Sequence, residues 1–239
     1  MSRADVVVCT WGTGKDGLPV GAEEVLTLAR AHASASGAEL GWLVLGPAPE
    51  RAAEAASQFG VQVRERIDDP KLASFRPDAF VEALAQYCRE AAPKLLLLPQ
   101  GFESRLVAPR LAGRIGATVV TNAVAVESAG NGALRVTATA YGGDTRVEYE
   151  LAGGTLQVVS VTTTGLVAQP ADAPTNPSER TIAVDLSCVE ERVRVVQAAK
   201  SEGPRLEDAD IIVAGGRGLG AETNYALIRE LADALGGMA

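Results

Sequence analysis

The residues best placed to do chemistry lie in the stretch ADIIVAGGRGLG, residues 209–220. An apolar run, Ile211-Ile212-Val213, leads into Gly215, Gly216, Arg217 and Gly218. Glycine lets the backbone approach a ligand, and N–H groups at a helix start favour an anion. Arg217 adds a planar cationic fork suited to phosphate, carboxylate or a reduced flavin. Gly216, Arg217 and Gly218 are therefore the candidate cofactor-binding residues. The spacing is not GxGxxG, and a tight turn with an exposed Arg accounts for it equally well.

Other candidates are weaker. GTGKDG (12–17) follows a strand-like run, but a phosphate loop needs Ser or Thr after its Lys, and here Asp16 follows Lys15. It reads as a plain strand-to-helix loop. His32 is the single histidine, so a metal site or a histidine-based triad has little to build on, and a surface or boundary role is expected. Cys9, Cys88 and Cys188 have no metal or disulfide spacing and read as buried or inert thiols. In SRLVAPR (104–110), Arg105 and Arg110 could meet an anion at a helix start, or form surface salt bridges. Asp68-Asp69 and Glu190-Glu191 read as solvated pairs, and Trp11 and Trp42 as core. No nucleophile-plus-base constellation stands out, so no catalytic residue is assigned.

These residues need elements to position them. Over the first hundred residues strand and helix signals alternate. Val6-Val7-Val8, LGWLVLG (40–46), VQVR (61–64) and LLLLP (95–99) read as strands. Ala22, Val25, Leu26, Ala29 and Ala33 form a helical stripe stopped by Gly37. A second helix covers Ala52 to Phe59, and a third starts at Pro77. Ser104 is the expected cap of a fourth, with Pro109 in or near its first turns. The rhythm predicts a parallel sheet with helices on both faces. Runs at 118–127, 134–141, 145–151 and 155–163, separated by Asn131-Gly132, Gly142-Gly143 and Gly153-Gly154, predict an antiparallel excursion. Residues 165–180 read as a loop, TIAVDL and RVRVVQAA as late strands, and 202–210 as a joint. The fold class is thus α/β: a Rossmann-like parallel sheet with an antiparallel strand excursion, then a partial second α/β domain. The expected boundary divides residues 1–202 from 203–239.

Composition narrows the function. The 239 residues carry a formal net charge of −8, a poor match to nucleic acid. The longest pure aliphatic run, Leu95–Leu98, is too short to span a bilayer, so no membrane insertion is expected. The start, MSRADVVVCTW, has no signal-peptide pattern, and a cytoplasmic location is expected.

Taken with its continuation ETNYALIRELADALGG, the 209–220 stretch resembles the start of the flavin-binding domain of electron transfer flavoprotein alpha subunits. EEVLTLARAHA followed by LGWLVLG, then LLLLPQGFESRLVAPRLAGRIGA, AYGGD and QVVSV, resemble that family in order along nearly the whole chain. The resemblance implies a heterodimer in which the first domain packs on a beta subunit. It implies FAD held mainly by the second domain, with Arg217, Gly216 and Gly218 at the cofactor. AMP, where present, belongs to the beta subunit. Electrons would come from dehydrogenases and go to a quinone-reducing or other acceptor. The protein would be an electron carrier more than an enzyme with its own substrate.

Two departures fall in the first domain. Asn122 stands where Asp is common, and Thr163-Thr164-Gly165 replaces an Arg-Pro segment. The resemblance also implies that the chain stops at Ala239 just inside the FAD domain, and that this piece does not retain FAD tightly. The rival readings are a stand-alone nucleotide-binding or sensor protein with a stress-protein-like α/β fold, and a structural interaction subunit. The first rival requires a phosphate loop with matched glycines.

Overall fold

Val6–Trp11 (β1) and Leu40–Leu45 (β2) are almost wholly apolar, and each is buried on both faces. Such strands fit only inside a sheet covered by helices on both sides. A computed structural model describes residues 4–12, 17–130, 133–193 and 209–239. The chain divides into two units, Met1–Arg194 and Val195–Ala239. The expected boundary at 202/203 lies outside the described residues, as does most of RVRVVQAA.

In the first unit β1 is followed by Ala22–Ser36 (α1), β2, Ala52–Gln58 (α2) and Val63–Ile67 (β3). Pro77–Ala91 (α3), Leu95–Pro99 (β4) and Phe102–Ile115 (α4) come next. Thr118–Gly130 (β5), Ala133–Ala140 (β6), Thr145–Leu151 (β7), Gln157–Val161 (β8) and Ser178–Thr181 (β9) complete it. They form one nine-stranded sheet in the order β7-β6-β5-β8-β4-β1-β2-β3-β9. Only the β5–β6 and β6–β7 pairs are antiparallel. The expected α/β sheet with an antiparallel excursion is therefore present.

The strands' period of two sends alternate side chains to opposite cores. Val6, Val8, Trp42, Val44, Leu95 and Leu97 pack with α1 and α2. Val7, Cys9, Leu43, Leu45, Leu96 and Leu98 pack with α3 and α4. Each fully buried Leu or Val contributes about 1.5–3 kcal/mol. The buried Trp42 indole N–H donates to Thr10 Oγ1 at 2.9 Å, so the indole leaves no unpaired donor in the core. Trp11 is only partly buried and packs with Phe75 and Phe80 in an aromatic trio.

Several local expectations are corrected. The third strand is Val63–Ile67, not 61–64, because Val61 N–H instead closes the end of α2 on Ala56. Ser104 does not cap α4 from the cap position. Gly101 is the cap, and the Ser104 hydroxyl reaches back to the Gly101 N–H at 2.8 Å. Since α4 begins at Phe102, Pro109 sits in its interior, where it has no N–H to give the Arg105 carbonyl. Gly153-Gly154 does not close a hairpin: β8 leaves β7 and inserts in parallel between β4 and β5. Asn131-Gly132 lies outside the described residues. TIAVDL is not a strand; only Thr181 belongs to one, β9, which pairs with the sheet edge at β3.

Complementary charges accompany that pairing. Arg64 and Glu65 stand opposite Glu179 and Arg180 in register, with ion pairs Arg64–Glu179 and Arg180–Glu65. The chain then straps across α3. Gln86 exchanges two hydrogen bonds with the Asp185 backbone, and Lys71 Nζ donates to the Leu186 carbonyl at 2.6 Å. Glu191 accepts from the Asp78 and Ala79 N–H groups at the start of α3, and Arg192 pairs with Asp78. So Glu191 is not a solvated acid but a helix cap in trans. Asp69 likewise caps a short 3₁₀ turn through the Lys71 N–H, and Asp68 pairs with Arg66.

Candidate functional site

In the second unit the predicted strand is reduced to its minimum. Ile212 bridges Met238 in parallel, with Met238 N–H donating to Ile211 O at 2.9 Å and Val213 N–H to Met238 O at 2.8 Å. Tyr225–Leu235 (α5) lies between these two short segments. The turn does not run straight into that helix. A 3₁₀ turn at Arg217–Leu219 and a second at Glu222–Asn224 intervene. Arg217 is therefore not at the N-terminus of α5, and the expected helix-end contribution to anion binding does not apply to it.

The glycines divide by role. A Cβ on Gly215 would collide with Leu219 Cδ1 and lie 3.1 Å from Ile228 Cγ1. Gly215 thus serves close packing, and its carbonyl accepts from the Tyr225 hydroxyl at 3.2 Å. Gly216 and Gly218 have nothing within 4 Å of such a Cβ and leave the backbone open to approach. Arg217 is exposed between them, and its side chain has no hydrogen bond or ion pair among the described residues. Gly216, Arg217 and Gly218 are thus brought together on one exposed turn. On α5, Leu227, Leu231 and Leu235 follow one face and remain 63%, 50% and 50% exposed.

The first unit has its own openings at the carboxyl ends of the parallel strands. One, of about 320 Å³, lies at the switch point between β1 and β4, where ligands of open α/β sheets bind. Here the Trp11 indole N–H donates to the Glu103 carboxylate in the first turn of α4. Of GTGKDG, Lys15 and Asp16 lie outside the described residues. A second cleft, of about 790 Å³, lies between Arg105 on α4, Asn122 in a bulge of β5, and Tyr141 at the β6–β7 turn. Gln100 and Tyr141 were not expected at a site. Tyr-Gly-Gly marks the turn in the sequence, but nothing local reveals that it faces Gln100.

The remaining candidates are structural. Arg110 pairs with Asp78 rather than with an anion, so it does not join Arg105. Burial pushes the Asp78 carboxyl upward, but hydrogen bonds from the Arg192 side chain and backbone, then the bond and charge of Arg110, overcome this and hold it at about 2. His32 is half-buried, and burial lowers its pKa. Cys9 and Cys88 are buried, and burial pushes the Cys88 thiol up to about 12. Cys188, by contrast, is exposed, so burial does not hold for all three thiols. Among the described residues, no cluster of His, Cys, Asp and Glu could hold a metal, and no helix is long and apolar enough to cross a membrane.

Comparison with known proteins covers both units. The profile described as "Electron transfer flavoprotein domain" matches residues 15–187, and "Electron transfer flavoprotein FAD-binding domain" matches 205–239. The chain is similar to the "Electron transfer flavoprotein subunit alpha" of Thermoanaerobacterium thermosaccharolyticum, at 27% identity over 90% of this chain and 66% of the relative. It is 30% identical to the protein of that name from Syntrophomonas wolfei, over 84% of this chain and 62% of the relative. "Protein FixB" of Clostridium saccharobutylicum is 28% identical over 90% of this chain and 64% of the relative. The chain thus spans just under two thirds of the length of these relatives.

Proposed function

The chain belongs to the electron transfer flavoprotein alpha-subunit family, and on that premise we propose that the whole protein carries electrons through FAD in a heterodimer with a beta subunit. Residues 1–202 form the domain that packs on the beta subunit, and residues 203–239 begin the FAD-binding domain. Dehydrogenases supply the electrons, and a quinone-reducing or other acceptor removes them. Any AMP belongs to the beta subunit. When bound, FAD supplies one- and two-electron chemistry.

One observation carries the reading: Arg217 stands exposed, without a side-chain partner among the described residues, between two glycines with open space above them. That arrangement fits the cofactor. Gly216 and Gly218 admit its close approach to the backbone. The guanidinium donates to a phosphate or to a reduced, anionic ring. The test is made in the whole heterodimer. A charge-assisted hydrogen bond contributes about 1.5–3 kcal/mol. Arg217→Ala is therefore expected to weaken FAD binding about tenfold or more, or to lower the flavin potential. Arg217→Lys recovers only part, since a point charge lacks the planar fork. Lower thermal stability with unchanged FAD affinity and potential would instead make Arg217 a packing residue and remove the support for the reading.

A further inference from the structure

The second cleft of the first unit has a chemistry that nothing above uses. Its floor is fixed by Gln100. The Gln100 Oε1 accepts the Asn122 backbone N–H at 2.6 Å. Its Nε2 donates to Asn122 Oδ1 at 2.6 Å and to Thr162 Oγ1 at 3.2 Å. That double bond pattern sets the orientation of both amides: with the Gln100 oxygen committed to a backbone donor, its nitrogen faces the Asn122 oxygen. The Asn122 amide nitrogen and the Thr162 hydroxyl hydrogen are left without partners among the described residues, and both residues line the cleft. Arg105 lines it too, with no ion pair among the described residues. No carboxylate lines it. Three other clefts differ: the switch-point opening holds Glu103, the groove beside Asp78 holds carboxylates already paired with Arg110 and Arg192, and in the cleft beside Lys94 the cation is already paired with Asp5.

The backbone supports the same place. Among the described residues three non-glycine residues have positive φ: Ala92, Asn122 at 58° and Tyr141 at 52°. Two of the three flank this cleft, and strained backbone held by specific contacts concentrates at binding sites. Tyr141 sits on the rim with its side chain 84% exposed, an unused aromatic face beside the donors.

We propose that this cleft binds an aromatic oxyanion, a phosphate or a carboxylate carried on a ring. Arg105, the Asn122 amide and the Thr162 hydroxyl take the charged group, and Tyr141 stacks on the ring. A cation and free donors with no carboxylate beside them select an anion over a cation or a neutral molecule. The inference concerns the first unit alone and does not depend on the FAD reading.

The test titrates the 239-residue chain with inorganic phosphate, phenyl phosphate and benzoate, followed by the side-chain amide NMR signals of Gln100 and Asn122. Saturable shifts with phenyl phosphate or benzoate are expected, and the tighter of the two identifies the charged group. Arg105→Gln is expected to weaken binding about tenfold or more, whereas Arg89→Gln, on α3 and outside the cleft, leaves it unchanged. Asn122→Asp keeps the oxygen that meets Gln100 but puts a carboxylate in the cleft, and is expected to abolish binding. Tyr141→Ala is expected to bring phenyl phosphate down to the affinity of inorganic phosphate. Linear, unsaturable shifts with every probe, or equal binding by Arg105→Gln at an unchanged melting temperature, would overturn the proposal. Phenyl phosphate binding no tighter than inorganic phosphate would overturn the role of the ring.

Discussion

Asp78→Asn removes the charge on which the strap closes. Asp78 is only 10% exposed and sits between Arg110 and Arg192, with the Arg192 backbone N–H also donating to it at 2.9 Å. Its carboxyl is held at about 2, against an ordinary value of 3.8. Taken whole, that difference corresponds to at most about 2.5 kcal/mol. Arg192 is 75% exposed, so solvent screens part of the attraction, and about 1–2 kcal/mol is the expected contribution. The folded carboxyl has the lower pKa, so the stabilisation is complete above pH 3.8 and is lost as pH falls through about 2. Chemical denaturation of both forms, at neutral pH and at steps down through this window, checks it. The variant should be weaker by about 1–2 kcal/mol at neutral pH, or a few degrees in melting temperature, and the gap should close on acidification. Other carboxylates titrate in both proteins and cancel in the difference. A gap that persists unchanged to the acid end, or none at neutral pH, would refute the reasoning.

Two further substitutions test the core. Gly46 has φ +80° and its missing Cβ points into the Leu72 carbonyl, so Gly46→Ala should cost about 2–4 kcal/mol in denaturant unfolding. A cost below that of an ordinary surface change would show that the Leu72 backbone can move aside. The Tyr87 hydroxyl donates to Glu65, which is 5% exposed, so Tyr87→Phe should cost about 1–3 kcal/mol by the same measurement. An unchanged stability would mean that Arg180 alone satisfies the carboxylate.

Much of the first unit was legible because its signals are local. The stripe from Ala22 to Ala33 with Gly37 behind it specifies α1, and four consecutive leucines specify a strand buried on both faces. What escaped depends on distant partners. Ile182, Val184 and Leu186 alternate like a strand, yet they pack on the α3 side as a strap, while the polar Ser178–Thr181 takes the ladder. The partners that Ser178–Thr181 meets, Arg64 and Glu65 among them, lie more than a hundred positions earlier in the chain. Glu191 reads as solvent-facing until the start of α3 supplies two N–H donors. In the second unit the sequence located Arg217 and its neighbours, but not which glycine does what. Gly215, outside the chosen set, is the one that packing demands.

The two glycine-bearing strand ends of this protein therefore differ for a physical reason. At the switch point of the first unit, a helix start and a sheet edge converge as they do in nucleotide-binding folds. Glu103 places a carboxylate in the first turn of α4, where an anionic ligand would gain from the helix end, and the Trp11 indole ties it there. An incoming phosphate would have to displace that bond and face a like charge. The opening is rimmed by Phe102 and Val20, which are 79% and 76% exposed. Apolar rims of this kind suit a protein surface better than a phosphate. On the turn of the second unit the balance is reversed: Arg217 has no side-chain partner among the described residues, and the glycines beside it leave room for one. The carboxylate inside the first crevice and the open-flanked cation on the second turn thus favour different occupants: the crevice disfavours an anion, and the turn can accept one.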